Sequence, residues 1–326
     1  MPRLEALLTV VLCGCAWPLD PAPVAPSPGH LPVLGGCPVF AGMGGLGGAG
    51  RSVSLADGAT LWTFEGGPSG IGVLASGTDV CVGGQALGPA FDVSAGSDES
   101  VTPLDLARSG TDVWAFYEAW RPEAGAPFGV RTLGRGVAHR DVGTGRFVRR
   151  SPLFWTADRP DYGQSAWVDG GWLYAWGCEA EEGGWTRRCS VARVPVDAVE
   201  TYEAWQYATS VGQFSPQVDD ARPVLVGVGE VSVRPAGPER WLATYIQPLD
   251  TVLRLRVGLS PTGPFGPAVE LGRCEVPAGA FCTGAVQHEG VAGPKRQVGL
   301  TWTPAAFGAL ADRKARWVVA EVPEGL

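Results

Sequence analysis

The sequence has no asparagine, two lysines (Lys295 and Lys314), two isoleucines and three histidines in 326 residues. Arginine therefore carries almost all the positive charge, and no cluster of it follows the N-terminus. With a net charge of −8, nothing on the chain is suited to neutralising a phosphate backbone, which excludes nucleic acid as a partner. His30, His139 and His288 are scattered without ligand spacing, so no metal and no cofactor is expected. There is no Gly-x-Ser-x-Gly elbow and no Walker lysine. Amphipathic-helix periodicity is almost absent, and the apolar run at residues 4–12 is too short to cross a bilayer. The composition reads as that of a GC-rich genome. Glycine (48) and proline (28) are what the chain has in excess, about 23% together against a usual share of roughly 12%. Turns must be frequent, and a hydrophobic content of 45% is ample for a core.

The apolar stretch 4–12 behind Arg3 has the size of a signal-peptide core, and Leu12-Cys13-Gly14-Cys15 resembles a bacterial lipobox in which Cys15 is lipidated. The alternative, an ordinary buried strand with two incidental cysteines, is opposed by the polar, proline-rich stretch that follows. The expected organisation is a signal peptide over 1–14, a Pro-rich linker over 15–34 and a folded domain over 35–326. Such a chain is exported and tethered to a membrane through lipid alone. Ala16, following the lipidated cysteine, favours the outer membrane. Six cysteines remain: Cys37, Cys81, Cys178, Cys189, Cys274 and Cys282. In an oxidising compartment disulfides are the first expectation, and the short separations suggest 178/189 and 274/282, with Cys37–Cys81 left over.

Five segments share one design, a turn with Gly, Asp or Pro followed by an aromatic, β-branched strand. They are Asp57–Phe64, Gly110–Tyr117, Asp169–Trp176, Gly237–Tyr245 and Gly293–Trp302. Each is preceded by a short strand, and most are followed by a third. Strands in similar groups spaced roughly 50–70 residues apart predict an all-β, five-bladed β-propeller. Most of the thirteen tryptophans should fill the space between blades. Closure should pair a strand near Val33–Phe40 with the blade containing Trp317–Val322. Gly42–Gly47 satisfies a dinucleotide-binding pattern, but a strand-like segment follows it where a helix is required, so it reads as a loop.

Ser151-Pro152-Leu153-Phe154-Trp155, Tyr162-Gly163-Gln164-Ser165-Ala166, Gly171–Gly177, Val191–Pro195 with Tyr202–Trp205, Gly229–Val233 and Leu259–Phe265 resemble, in order, the motifs of the domain-of-unknown-function 4185 family. That family is similar to the five-bladed propellers of glycoside hydrolase families 43 and 183, the latter including endo-D-arabinanases. The resemblance implies a carbohydrate-directed fold. In the family the first blade's aromatic strand runs Leu-Trp-Leu-Phe-Gly-Asp-Thr, and its aspartate is a candidate acid. Here the stretch is Leu61-Trp62-Thr63-Phe64-Glu65-Gly66-Gly67, with Gly66 at that position. Glu65 is one residue early and should face the other way unless a bulge shifts it.

Glycoside hydrolysis needs two opposed carboxyl groups, about 5–5.5 Å apart for retention or about 6.5–9.5 Å for inversion. Glu230 is the foremost candidate, because an acid inside so apolar a strand must find a partner or a ligand. Glu118 and Asp105 are the further catalytic candidates. Glu65, Arg234, Trp120, Trp155, Trp167 and His288 are substrate-binding candidates, since indole faces stack on sugars and arginine forks bind hydroxyls or carboxylates. Two readings stay open: a monomeric glycoside hydrolase acting on arabinan-like polysaccharide, or a non-catalytic glycan-binding or protein-interaction module of the cell envelope.

Overall fold

The computed structural model describes residues 31–323, apart from 42, 44–45, 77–79, 82, 94–97, 127–128, 150–152, 290–296 and 307–313. The signal peptide, Cys15 and most of the Pro-rich linker lie outside the described residues.

Two short strands, β1 (Val33–Leu34) and β2 (Cys37–Pro38), precede five antiparallel sheets. Blade one is β3 (Gly47–Ser54), β4 (Ala59–Glu65), β5 (Ile71–Ser76) and β6 (Gln85–Pro89). Blade two is β7 (Ser100–Ser109), β8 (Asp112–Pro122) and β9 (Val130–Arg140), with β10 (Phe147–Val148) and β11 (Trp155–Thr156) both on β9. Blade three is β12 (Ser165–Asp169), β13 (Trp172–Ala180), β14 (Arg187–Pro195), β15 (Gln206–Ser210) and β16 (Gln213–Ser215), with β17 (Leu225–Val228) also on β14. Blade four is β18 (Glu230–Pro235), β19 (Trp241–Ile246), β20 (Val252–Gly258) and β21 (Val269–Cys274). Blade five is β22 (Phe281–His288), β23 (Gln297–Ala305) and β24 (Arg316–Glu321).

The first strands β3, β7, β12, β18 and β22 touch one another in a closed circle, so the five sheets form a propeller around one axis. Closure is by β2, whose Cys37 and Pro38 pair antiparallel with Trp317 and Arg316 of β24. The Cys37–Cys81 disulfide then ties this closing strand back to blade one. The parallel pairing of β1 with β21 was not anticipated.

The core is divided among five seams, because each sheet has two apolar faces and can bury both only against its neighbours. Trp114, Trp155 and Trp205 fill the seam between blades two and three, Trp176 and Trp241 that between three and four, and Trp302 that between four and five. Trp62 and Trp317 fill the seam where blade five meets blade one. Trp155 is therefore corrected from sugar-stacking candidate to core residue. It is buried, and its Nε1 donates to the Tyr207 hydroxyl at 3.0 Å.

The inner strands contribute polar side chains that lock the ring. Arg234 on blade four donates to both oxygens of Asp105 on blade two, at 2.8 and 3.1 Å, and to Ser165 Oγ and the Ala166 carbonyl on blade three. Asp105 also accepts the amides of Leu106 and Ala166. Both side chains are almost fully buried, so their bonds clasp three successive blades. This corrects their places as catalytic acid and substrate-binding arginine. His288 is corrected likewise: its ring nitrogens lie 2.6 Å from Ser52 Oγ and 2.6 Å from Thr301 Oγ1, and its ring stacks on Trp62. Burial, with the positive charges of Arg234 and Arg51 nearby, holds this imidazole neutral by pushing its pKa well below the usual value.

The expected Cys178–Cys189 disulfide joins directly paired residues of β13 and β14. The expected third bridge is absent. Cys274 and Cys282 are buried free thiols, and Cys282 interacts with the Cys274 thiol.

Candidate functional site

All five inner strands run the same way along the axis, so the ring has a first mouth where they begin and a second where they end. The hairpins joining the second and third strands of each blade surround the first mouth. A cavity of about 610 Å³ opens there. Its lining includes Gly48 and Glu65 of blade one, Trp185 and Arg187 of blade three, Glu230 and Leu249 of blade four, and Phe281 of blade five.

Glu230 is the first residue of β18 and is exposed at this mouth. Its placement depends on the residue before it. A Cβ on Gly229 would lie 1.8 Å from the Ile246 carbonyl oxygen, so only glycine lets the chain pass the end of β19 as it enters the strand.

Glu65 also reaches the cavity, and the bulge that allows this lies on its partner strand. Pairing of β3 with β4 jumps from Gly47↔Glu65 to Arg51↔Thr63, four residues on β3 against two on β4. The slack is taken up by Gly48 and Gly50, both at φ of 70°. The Glu65 carboxylate lies over Gly48, where a Cβ would come within 2.7 Å of Oε1. Gly66 leaves the family's aspartate position without an acid, and Glu65 supplies a carboxylate from one residue earlier.

At the junction of blades two and three, four charged side chains alternate in sign. Arg135 on β9 donates to Glu118 Oε1 on β8 at 2.6 Å and also bonds Asp161, which in turn accepts from Arg187. Arg187 brings this chain of charges to the cavity wall. Arg135 is buried and further fixed by the Ala157 carbonyl at 3.2 Å. Burial pushes the Glu118 pKa up from its ordinary value, against the pull of Arg135, and repulsion from Asp161 and Glu230 adds to the rise. Glu118 and Glu230 are thus electrostatically coupled carboxyl groups from different blades. One is half-buried with a raised pKa, and the other is exposed.

Trp120 is half-buried on the same strand as Glu118, with Nε1 donating to Thr102 Oγ1 at 2.9 Å. Trp167 lies at the opposite mouth, where Arg234 stands 5.5 Å over its ring. That second mouth encloses about 570 Å³ and is lined by Arg234, Gln287, His288 and Glu289 among others. Sequence reasoning missed Asp161, Arg135, Arg187 and Trp185. Among the described residues no cluster of three His, Cys, Asp or Glu side chains is placed to hold a metal.

Fold alone does not fix function, and the similarities to known proteins are of two kinds. Residues 141–293 match the family described as "Domain of unknown function (DUF4185)", a span that contains the motifs from Ser151 to Phe265 but leaves blade one, β7 to β9 of blade two and β23 and β24 of blade five outside. No curated protein matches. Among solved structures, a Bacteroides ovatus protein described as a candidate hydrolase is 12% identical, with 87% of this chain and 86% of that one covered and a TM-score of 0.63. The GH43_1 enzyme of Xanthomonas citri, solved with xylose, is 14% identical with a TM-score of 0.56, over 88% and 90% of the two chains. An α-L-arabinofuranosidase from Lactobacillus brevis is 11% identical with a TM-score of 0.53, over 84% and 90%. The chain therefore shares the five-bladed propeller fold of glycoside hydrolases.

Proposed function

We propose that the protein is a carbohydrate-active propeller of the glycoside hydrolase type, with its substrate bound across the first mouth. The observation that carries this is the placing of Glu65 and Glu230 from different blades on the wall of one cavity, with the Glu118–Arg135–Asp161–Arg187 chain of charges reaching the same wall through Arg187. A carboxyl group whose pKa is raised can protonate a leaving oxygen, while a second carboxyl group activates water or attacks the sugar. Glu118 is then the proton donor and Glu230 the base or nucleophile, with Glu65 and Arg187 binding hydroxyls. Complexes of a neighbouring fold with xylose and the arabinofuranosidase activity of another support a pentose-containing glycan, in keeping with arabinan-like substrates.

The protein acts outside the cytoplasm in this reading, as a monomer held to the membrane by lipid on Cys15. The support is the apolar leader with its lipobox-like Leu12–Cys15. Two disulfides within the domain agree with an oxidising compartment.

The test is product release from arabinans, xylans and galactans by the parent and by Glu230→Gln. Loss of one member of an acid–base pair should lower turnover by about 10²–10⁴-fold, with the melting temperature unchanged because Glu230 is exposed. A second reading, a binding module without turnover, is favoured by Gly66 and by the Arg135 bond that occupies Glu118. Binding by both proteins with release by neither would select it.

A further inference from the structure

Trp185 lies in the hairpin between β13 and β14 and is 75% exposed, while every other described tryptophan is buried or half-buried. An indole left in water keeps a large apolar face hydrated, at a cost that needs a reason. Flexibility does not supply one, because the hairpin is anchored from several sides. The Cys178–Cys189 disulfide crosses its base. Arg187 donates to the Cys178 carbonyl at 2.9 Å, Arg188 to Glu179 at 2.7 Å, and the Gly227 amide to Glu181 at 3.2 Å. The anchored hairpin thus presents Trp185 on the wall of the cavity that contains Glu230, with Leu249 and Phe281 also on that wall.

The charge of the wall narrows the ligand. Its described ionisable groups are two carboxylates, Glu65 and Glu230, and one guanidinium, Arg187, already bonded to Asp161. A ligand carboxylate would be repelled by the negative wall, whereas hydroxyls can donate to carboxylate oxygens. We propose that Trp185 is the stacking platform for a neutral sugar unit bound beside Glu230, so that the mouth selects neutral glycans over uronates. The C–H face of the sugar lies on the indole and its rim hydroxyls meet the carboxylates. Trp185 acts as a positioning residue for the chemistry at Glu230. The inference rests on the reading that this mouth binds carbohydrate.

Calorimetric titration tests it, with xylotriose, arabinotriose and galactotriose as neutral probes and trigalacturonate as the acidic one. The parent is compared with Trp185→Ala, Trp185→Tyr and Glu230→Gln. Binding of at least one neutral probe should weaken about tenfold or more in Trp185→Ala and stay within about threefold in Trp185→Tyr, which keeps an aromatic face. Melting temperatures should be unchanged, since the ring packs against little. Trigalacturonate should bind the parent at least about tenfold more weakly than the best neutral probe. Neutral binding that survives Trp185→Ala overturns the platform but leaves the carbohydrate site standing if Glu230→Gln abolishes turnover. Trigalacturonate binding as tight as the best neutral probe overturns the selectivity. A parent that neither binds nor cleaves any of the probes overturns both the platform and the carbohydrate reading.

Discussion

The second mouth of the ring holds Asp105, Arg234 and His288, each bonded across a seam to a neighbouring blade. The first mouth is lined by Glu65, Glu230 and Arg187, and Arg187 links it through Asp161 and Arg135 to Glu118; these acids stay partly open to solvent. The cavities are similar, about 570 and 610 Å³, so size does not distinguish them. What differs is where the charge is directed. Polar groups at the second mouth satisfy one another and hold blades together. At and beside the first mouth, four carboxylates stand against two guanidinium groups, and burial, with repulsion from Asp161 and Glu230 added, keeps the Glu118 pKa high against the pull of Arg135. Ionisable side chains on a propeller axis can thus serve the ring or a ligand, and their partners tell which.

The largest expected effect comes from breaking the inward-facing side. Asp105→Asn removes the charge that compensates Arg234 in a site where both groups are almost fully buried. Leaving one buried charge without its partner costs about 3–5 kcal/mol. Chemical or thermal denaturation should show that loss, while kcat of the fraction that remains folded stays near the parent's. A variant that keeps its stability and loses turnover would reverse the assignment of the two mouths.

A pH profile gives a smaller and more specific test at the first mouth. The raised pKa of Glu118 means that it holds its proton above the usual carboxylate range, so activity should fall on the alkaline side as pH passes through that pKa. Linkage has the matching sign. A group whose folded-state pKa is raised contributes stability that is complete below its unfolded value and lost as pH rises through the folded one. Asp161→Asn removes one of the repulsions acting on Glu118 and leaves the Arg135 attraction in place. The alkaline limb of kcat/KM should move to lower pH. A limb that does not move, or moves upward, would detach Glu118 from the proton-donor role.

The ring itself was legible in the sequence because a blade is a local object. Its turns, its aromatic second strand and its closing strand each lie within a few dozen residues, and the period repeats them. Glu230 stands out in the sequence as an acid in an otherwise apolar strand, and the structure places it as the exposed first residue of β18. The clasp between Asp105 and Arg234 was not, because the two are 129 residues apart and meet only when blade three is threaded between them. Asp161 reads as an ordinary turn acid in Arg159-Pro160-Asp161-Tyr162. Its meaning comes from Arg135 on the preceding blade and Arg187 on the far side of a hairpin. Trp185 directly follows Glu181-Glu182-Gly183-Gly184, a stretch with every mark of a solvated turn. Alternation along β4 turns Glu65 away unless a bulge intervenes, and the pairing of β3 with β4 is indeed irregular beside it.

The smallest effect tests whether that insertion serves the first mouth. Gly48 has φ of 70° and Glu65 Oε1 within 2.7 Å of where a Cβ would stand, whereas Gly58 has φ of 84° with nothing within 4 Å. An alanine at either site carries the strain of a left-handed backbone, about 1–2 kcal/mol. Only at Gly48 must a neighbour also move, and the neighbour is the Glu65 carboxylate, which is displaced. Gly48→Ala and Gly58→Ala should therefore lose similar stability, while only Gly48→Ala also weakens oligosaccharide binding at the first mouth. Equal binding in the two variants would show that the position of Glu65 over Gly48 is of no consequence to the ligand, and would reduce the acids acting at that mouth to those of blades two, three and four.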